Sequence, residues 1–524
     1  MIDLLIRNGS LLDGTGAEPR AADVAIRDGR IVDLGRLDGV TAAREIDATG
    51  LVVSPGFIDI HSHSDYTLLV DPRAVSAIYQ GVTLEVIGNC GFGCAPIVNP
   101  DTAAANIYGF NNQIKLDWSR MSGYLDHLAD AKPAVNVLSL VPNGQLRRAV
   151  LGVADRPANP TELNAMKSLL EEGLDDGAWG YSTGLEYPAE RGAPDSELIA
   201  LCSVLARKGG LYATHTRRRD DEAISAIAEA IAVGEAAGVR TQISHILPRK
   251  TSEDEAARAL ELVDSAQQRG VDIAFDMHTR LFGTTFLNTI IPLWALDDPA
   301  THLRSPASRR RMRDYPSIVA SGGWDRIVLL DHPLFPQYSR RSLGEVAREE
   351  GRDPFDLAFD ILASEVTQPA LEQRRSMVLI RAYTPDQQAE IFAHPLCMPG
   401  SDATTLAPDG PLADSVFHGA YSWASWYFQF MVHERRLLSP AQAVQRMTQL
   451  PAKTLGLQDR GCVAVGYWAD LAIFDADQFQ AQATTFDANQ LAVGMRHVVV
   501  NGVETLSNGK LTGRHGGQVL RRAS

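Results

Sequence analysis

Gly56-Phe57-Ile58-Asp59-Ile60-His61-Ser62-His63-Ser64-Asp65 is the stretch whose reading decides the fold. A glycine opens it, a short apolar run follows, and closely spaced polar side chains end it. An apolar run of roughly four to eight residues bounded this way predicts a buried strand of a parallel sheet. Residues i and i+2 of an extended segment project to one side, so His61 and His63 can converge just past the strand. The pattern repeats downstream. Strand-type runs at 83–87, 134–141, 179–182, 211–215, 241–245, 271–276 and 396–401 alternate with helical segments such as 196–207, 220–237 and 253–269. Such alternation predicts an α/β fold with helices covering parallel strands. Eight strands fit a (β/α)8 TIM barrel, which tolerates insertions. A doubly wound open sheet is the rival. No Gly-x-Gly-x-x-Gly follows an early strand, which weakens its dinucleotide-binding form.

Residues 280–395 break the rhythm and are too long for one connection. They contain Pro292-Leu293-Trp294, an Arg-rich helix near 308–313, a strand at 327–330 and a helix near 342–350. This is an insertion before the last barrel strand. Two roles fit it equally: a lid over a catalytic face, or a structural or oligomer-contact arm.

Outward again, the two chain ends look alike. Asn8-Gly9 and Asp28-Gly29 carry the chemistry of tight hairpin turns between alternating apolar residues. Near the other end, runs at 463–465, 470–474 and 498–500 precede Asn501-Gly502 and Val503. We expect a small composite β-sandwich built from both ends, against the alternative of two separate β caps. The expected divisions are 1–55 and 456–524 for the β domain and 56–455 for the barrel.

Composition excludes other classes. The 524 residues hold 49 Lys+Arg against 64 Asp+Glu, a net charge of −15, unsuited to nucleic acid or an anionic membrane surface. Five cysteines form no disulfide framework, and the start of the chain lacks a signal-peptide pattern. No apolar stretch approaches the roughly 18 residues of a membrane span. The expectation is a cytoplasmic protein. Its oligomeric state is not legible.

Polar residues gather at the strand ends. The second strand runs into Gly88-Asn89-Cys90-Gly91, the fifth ends in His215, the sixth in His245, and the eighth runs into Ser401-Asp402. Each alone is bland, since a lone cysteine or histidine is more often core. In a barrel they share one rim, the face that carries active sites. Imidazoles, a thiolate and a carboxylate suit Zn²⁺. Six ligands (His61, His63, Cys90, His215, His245 and Asp402) exceed one tetrahedral ion and point to two ions bridged by Cys90. His278 and His418 lie near the same rim. Arg217 follows His215 by two residues and can face a substrate carboxylate, or belong to a solvated cluster with Arg218 and Arg219. The aromatic run 421–428 reads as helical core ahead of an apolar pocket.

With these residues in view, the chain resembles the amidohydrolase superfamily, and within it the N-acyl-D-amino-acid deacylase (D-aminoacylase) group. The likeness runs from Ile6-Arg7-Asn8-Gly9 through Asn89-Cys90-Gly91 and Ser182-Thr183-Gly184-Leu185 to Asp459-Arg460-Gly461 and Ala469-Asp470-Leu471. The resemblance implies a zinc-bearing barrel with a composite β-sandwich. It implies a tight metal site from Cys90, His215 and His245, and a weaker one from His61, His63 and Asp402 sharing Cys90. It implies Asp402 as catalytic acid–base, with Tyr187 and Arg217 near the substrate. The chain departs from the group at Leu247, where a lysine is usual, and at Arg280, where a tyrosine is usual. Positive charge for a carboxylate-bearing substrate is then sought at Arg217, Arg249, Lys250 and Arg280.

The expected activity is zinc-dependent hydrolysis of an amide, deacylating an N-acyl-D-amino acid. Alternatives are a zinc amidase or dipeptidase acting on an aryl or cyclic amide, and a non-enzymatic metal scaffold. Ser182, where cyclic amidohydrolases carry a bridging lysine, favours the cysteine-bridged group.

Overall fold

The computed structural model describes all residues except 221, 250–253, 296–297, 316, 367–375 and 523–524. The first five strands belong to the terminal sheet: β1 (Ile2–Leu11), β2 (Arg20–Arg27), β3 (Arg30–Gly35), β4 (Ala42–Asp47) and β5 (Val52–Pro55). The chain then enters the barrel through β6 (Phe57–Asp59), β7 (Val82–Ile87), β8 (Asn136–Pro142), β9 (Gly180–Gly184), β10 (Leu211–His215), β11 (Arg240–Ile243) and β12 (Ile273–His278). Next come three short strands, β13 (Phe282–Phe286), β14 (Ile327–Leu329) and β15 (Met377–Arg381), before the last barrel strand β16 (Cys397–Gly400). The C-terminal part returns to the first sheet with β17 (Leu471–Phe474), β18 (Met495–Val500), β19 (Val503–Ser507) and β20 (Lys510–Leu511).

Strands β6 to β12 and β16 form one eight-stranded sheet in the order β6-β7-β8-β9-β10-β11-β12-β16, with every pairing parallel. Strands β7, β8 and β12 are buried along their whole length. Cover on both faces is why they read as apolar runs without strict alternation. The seam between β16 and β6 closes just past both strands. Asp402 N–H donates to His61 O at 2.8 Å, His63 N–H to Ala403 O at 2.8 Å, and Ser401 N–H to the Asp59 carboxylate at 3.0 Å. The closing stitches thus lie among the polar residues of the rim. Helix 418–428 packs its aromatic side into the core, with Phe428 against Phe474 and Tyr427 against Phe392.

The insertion is its own antiparallel sheet, in the order β13-β15-β14, with helices Leu343–Glu349 and Pro354–Val366. It begins four residues past β12, so it rises from the same rim.

Both chain ends share one nine-stranded sheet, in which β5 pairs with β17 and with β1. Leu4, Ile6, Val24, Val53, Leu471, Ile473 and Val499 meet in one apolar cluster inside it. Two expectations fail here. Asn8-Gly9 is no hairpin turn but a bulge within β1, where the register against β2 shifts. Asn8 sits at φ 63° with its side chain on Asp47, and a Cβ on Gly9 would come within 2.4 Å of Val53. The dipeptide therefore bends a strand instead of ending it. Residues 463–465 form no strand; Val463 N–H is taken by Asp13 O in a loop. Asp28-Gly29 and Asn501-Gly502 do turn between adjacent strands, all four at positive φ.

Candidate metal centre

Strand β6 delivers His61 and His63 to the rim, β7 delivers Cys90, β10 ends in His215, β11 leads to His245 and β16 to Asp402. His61 Nε2 lies 3.1 Å from Cys90 Sγ, and His245 Nε2 lies 3.6 Å from the same sulfur. Asp402 Oδ1 lies 3.3 Å from His63 Nε2 and 3.6 Å from His61 Nε2. Two groups result, each with ligand atoms within 4.8 Å of one another: His61, His63, Cys90 and Asp402, and Cys90, His215 and His245. Cys90 belongs to both.

Three of these residues sit in the left-handed region: Cys90 at φ 53°, His245 at 35° and Asp402 at 45°. Such a backbone is disfavoured by about 1–3 kcal/mol per residue and persists only where its surroundings hold it. His245 N–H is held by Asp276 Oδ1 at 2.8 Å and Asp402 N–H by His61 O. The Cys90 turn is held by Ser182, whose hydroxyl donates to Gly88 O and accepts from Gly91 N–H. A Cβ on Gly184 would lie 2.0 Å from Cys90 O. The Ser-Thr-Gly run is therefore shaped around the Asn-Cys-Gly turn, which explains why the two motifs occur together.

Electrostatics favour a charged site. Burial pushes the Cys90 thiol up, but the charge of His61 and the nearby imidazoles of His215 and His245 outweigh it and hold the thiol well below its ordinary value. Asp402 follows the same logic: burial raises it, while Arg280 and His63 hold it well below the usual carboxylate range. Buried anions need cationic partners. A thiolate, four imidazoles and a carboxylate with lone pairs turned toward one another fit a borderline-soft divalent cation. His215 Nδ1 is buried without a hydrogen-bond partner among the described residues, a donor atom that such a cation can match.

The other expected residues differ in placement. Arg280 is buried and donates to Asp402 Oδ2 at 2.8 Å, to Asp402 O at 3.0 Å and to Ser401 O at 2.6 Å. Tyr187 packs at the rim, its ring centroid 4.7 Å from that of His215 and 4.9 Å from that of Phe92. Arg217 turns toward Glu229 and the carbonyls of Arg191 and Ala193, so its guanidinium braces the loop after β9. Arg249 lies on Glu186. Lys250 falls outside the described residues. His278 is buried behind His245, its ring centroid 6.4 Å away, and His418 packs on Phe282.

Sequence reasoning overlooked the supporting carboxylates. Asp276 Oδ1 lies 3.0 Å from His61 Nδ1 and also accepts from His245 N–H, while its other oxygen accepts from Gln242. Glu186 Oε2 lies 2.9 Å from His215 Nε2. Glu190 accepts from Gly184 N–H and Asn143. The available signal was an acid directly inside or after a buried strand, where desolvation demands a partner.

Known proteins identify the family. A family model described as the amidohydrolase family matches residues 44–331 and 334–506. An N-acyl-D-glutamate deacylase of Alcaligenes xylosoxydans xylosoxydans is 33% identical over 99% of this chain and 97% of its own length. A D-aminoacylase of the same organism is 31% identical over 100% and 98%. The solved structure of N-acyl-D-glutamate deacylase from Bordetella bronchiseptica, complexed with zinc and a phosphonate mimic of the tetrahedral intermediate, superposes with a TM-score of 0.83. It is 30% identical, covering 99% of this chain and 100% of that one. A rim of histidines around a shared cysteine, an eight-stranded parallel barrel and end-to-end likeness lead to one conclusion: the chain belongs to the amidohydrolase family.

Proposed function

We propose that this metal-dependent amidohydrolase removes the acyl group from N-acyl-D-amino acids, releasing a carboxylate and a free amino acid. The observation that carries the reading is Cys90 shared between two ligand groups on one rim. Cys90, His215 and His245 would hold one zinc ion, and His61, His63 and Asp402, with Cys90, a second. When bound, zinc supplies Lewis acidity toward a carbonyl and acidifies water near neutral pH. The remaining work falls to side chains. Asp402 has one oxygen on Arg280 and the other facing His63 and His61. It accepts a proton from the attacking water and returns it to the departing nitrogen. Arg280 fixes that carboxylate. Tyr187 stands where a substrate carbonyl can meet a phenol donor. Arg217 acts from behind, through the loop that carries Tyr187.

A second reading, a zinc amidase for aryl amides, is favoured by the aromatic surround of Phe92, Tyr108 and Tyr187 beside His63. A panel of N-acyl-D-amino acids, N-acyl-L-amino acids, dipeptides and aryl amides on zinc-loaded protein tests both. Turnover confined to aryl amides would replace the first reading with the second. We assign 1–55 and 456–524 to one β domain and 56–455 to the barrel, and place the protein in the cytoplasm. Five cysteines without disulfides support that placement, and among the described residues no helix is long and apolar enough to cross a membrane.

A further inference from the structure

Strand β9 ends at Gly184 in a tight turn, with Tyr187 N–H donating to Gly184 O at 2.9 Å and Leu185 N–H to His215 O at 3.1 Å. This turn throws the Glu186 side chain onto the rim beside β10. One carboxylate oxygen lies 2.9 Å from His215 Nε2, and the other takes the Arg249 guanidinium. Arg249 is buried and set in place by its own N–H, which donates to Arg219 O at 2.6 Å. Arg219 in turn donates to His245 O at 2.8 Å and to Tyr383 Oη at 2.9 Å. The loops after β9, β10 and β11 are thereby joined through one carboxylate.

A neutral imidazole carries one N–H, and the acceptor beside one nitrogen decides which atom keeps the proton. A carboxylate at Nε2 places the proton there and leaves the Nδ1 lone pair free. His215 Nδ1 is buried and, like Nδ1 of His63 and His245, has no hydrogen-bond partner among the described residues. On the other side of Cys90, His61 has the mirror arrangement, with Asp276 at Nδ1 and Nε2 toward the sulfur. His63 faces Asp402 instead, and His245 has Asp276 on its backbone N–H. Each half of the centre thus contains one carboxylate-backed histidine. Such outer carboxylates fix the ring and raise its basicity as a ligand.

We propose that Glu186, clamped by Arg249, is a positioning residue that fixes His215 with Nδ1 free and so retains the metal ion of the Cys90–His215–His245 group. The inference rests on the metal-centre reading above. Arg249 keeps the Glu186 charge matched and its carboxylate aimed at the imidazole.

The test uses the full chain stripped of metal and titrated with Zn²⁺ against a chromophoric chelator, with visible spectra of the Co²⁺-loaded protein alongside. Glu186→Ala should weaken the tighter zinc by about 10–100-fold and alter the Co²⁺ spectrum. Arg249 loses its carboxylate partner, so the metal-free variant should melt about 3–5 °C lower than wild type and still be folded at the titration temperature. Glu186→Gln keeps an acceptor oxygen and should recover most of the lost affinity. Wild-type affinity in Glu186→Ala overturns the proposal. So does an equal loss of zinc in Arg460→Met, a variant destabilised at a buried ion pair away from the rim. If Glu186→Ala does not fold, Glu186→Gln decides by itself: an unaltered Co²⁺ spectrum with wild-type or a few-fold weaker affinity upholds the proposal, and a loss as large as that expected for alanine overturns it. A wild-type chain that takes up no zinc speaks against the metal centre itself, before any variant is compared.

Discussion

Two carboxylate–arginine pairs, each with a buried guanidinium, look alike and behave differently. Asp470 with Arg460 lies where the terminal sheet meets the barrel; Asp402 with Arg280 lies at the rim. Asp470 accepts from Arg460, from Asn136 of β8 and from Asn501 N–H at 2.7 Å, while its backbone O takes Gly56 N–H at the entrance to β6. Asn136 Oδ1 is taken by Asn501 and Gln518. The named amides and carboxylate oxygens are matched, with Asn501 Oδ1 the exception among the described residues. At the rim the Asp402 side chain keeps 19% exposure, three of the candidate ligand residues hold left-handed backbone, and His215 Nδ1 and Arg280 Nε are buried without hydrogen-bond partners among the described residues. The same kind of ion pair acts as a joint where most of its polar neighbours are matched, and in the proposed site it sits beside ligand atoms left without partners.

Metal removal should separate the two regions most sharply. Dialysis against a chelator abolishes amide hydrolysis and added Zn²⁺ restores it, while Cys90→Ala, which removes the shared ligand, is not restored; metal content and steady-state kinetics read both. Activity that survives complete zinc loss would break the assignment of the rim. Next comes Asp402→Asn, which should lower kcat by about 10²–10⁴-fold with zinc retained. Full activity in that variant would remove Asp402 from the chemistry. At the joint, Arg460→Met strands a buried carboxylate and should reduce stability by about 3–5 kcal/mol, measured by urea denaturation. At temperatures where the variant is folded its kcat should match wild type, and a lowered kcat would mean that the joint is coupled to the rim.

The two regions were also unequally legible. The barrel could be read because its strands are buried on both faces and end in chemistry-bearing residues. The candidate ligands His61, His63, Cys90, His215, His245 and Asp402 fall at strand ends, where position in the chain translates directly into position on a rim. Whatever depends on side-chain direction was hidden. Arg217 sits two residues past His215, yet the strand has ended by then, so the period-two argument lapses and its guanidinium turns to Glu229. Asn8-Gly9 has the chemistry of a hairpin and the place of a bulge, because β4 and β5 pair along the same edge of β1 on either side of it. Glu186 and Asp276 act through partners distant in sequence, and no local pattern announces a pairing of that kind.

Smaller effects test how far the rim pair differs from the joint. Arg280→Met removes the charged hydrogen bond on Asp402, worth about 1.5–3 kcal/mol. Its kcat/KM should fall by roughly 10- to 150-fold, mostly in kcat, because Asp402 loses its orientation. A change confined to KM would instead make Arg280 a direct substrate contact. Arg217→Lys should do least. Lysine keeps the charge but lacks the fork that reaches Glu229, Arg191 O and Ala193 O together. The loop bearing Glu186 and Tyr187 then loosens, and kcat/KM should drop only a few-fold, with the effect the same for substrates with and without a carboxylate. A drop restricted to carboxylate-bearing substrates would show the Arg217 guanidinium leaving Glu229 for the substrate, and the rim would then have a second charged contact as open as Arg280.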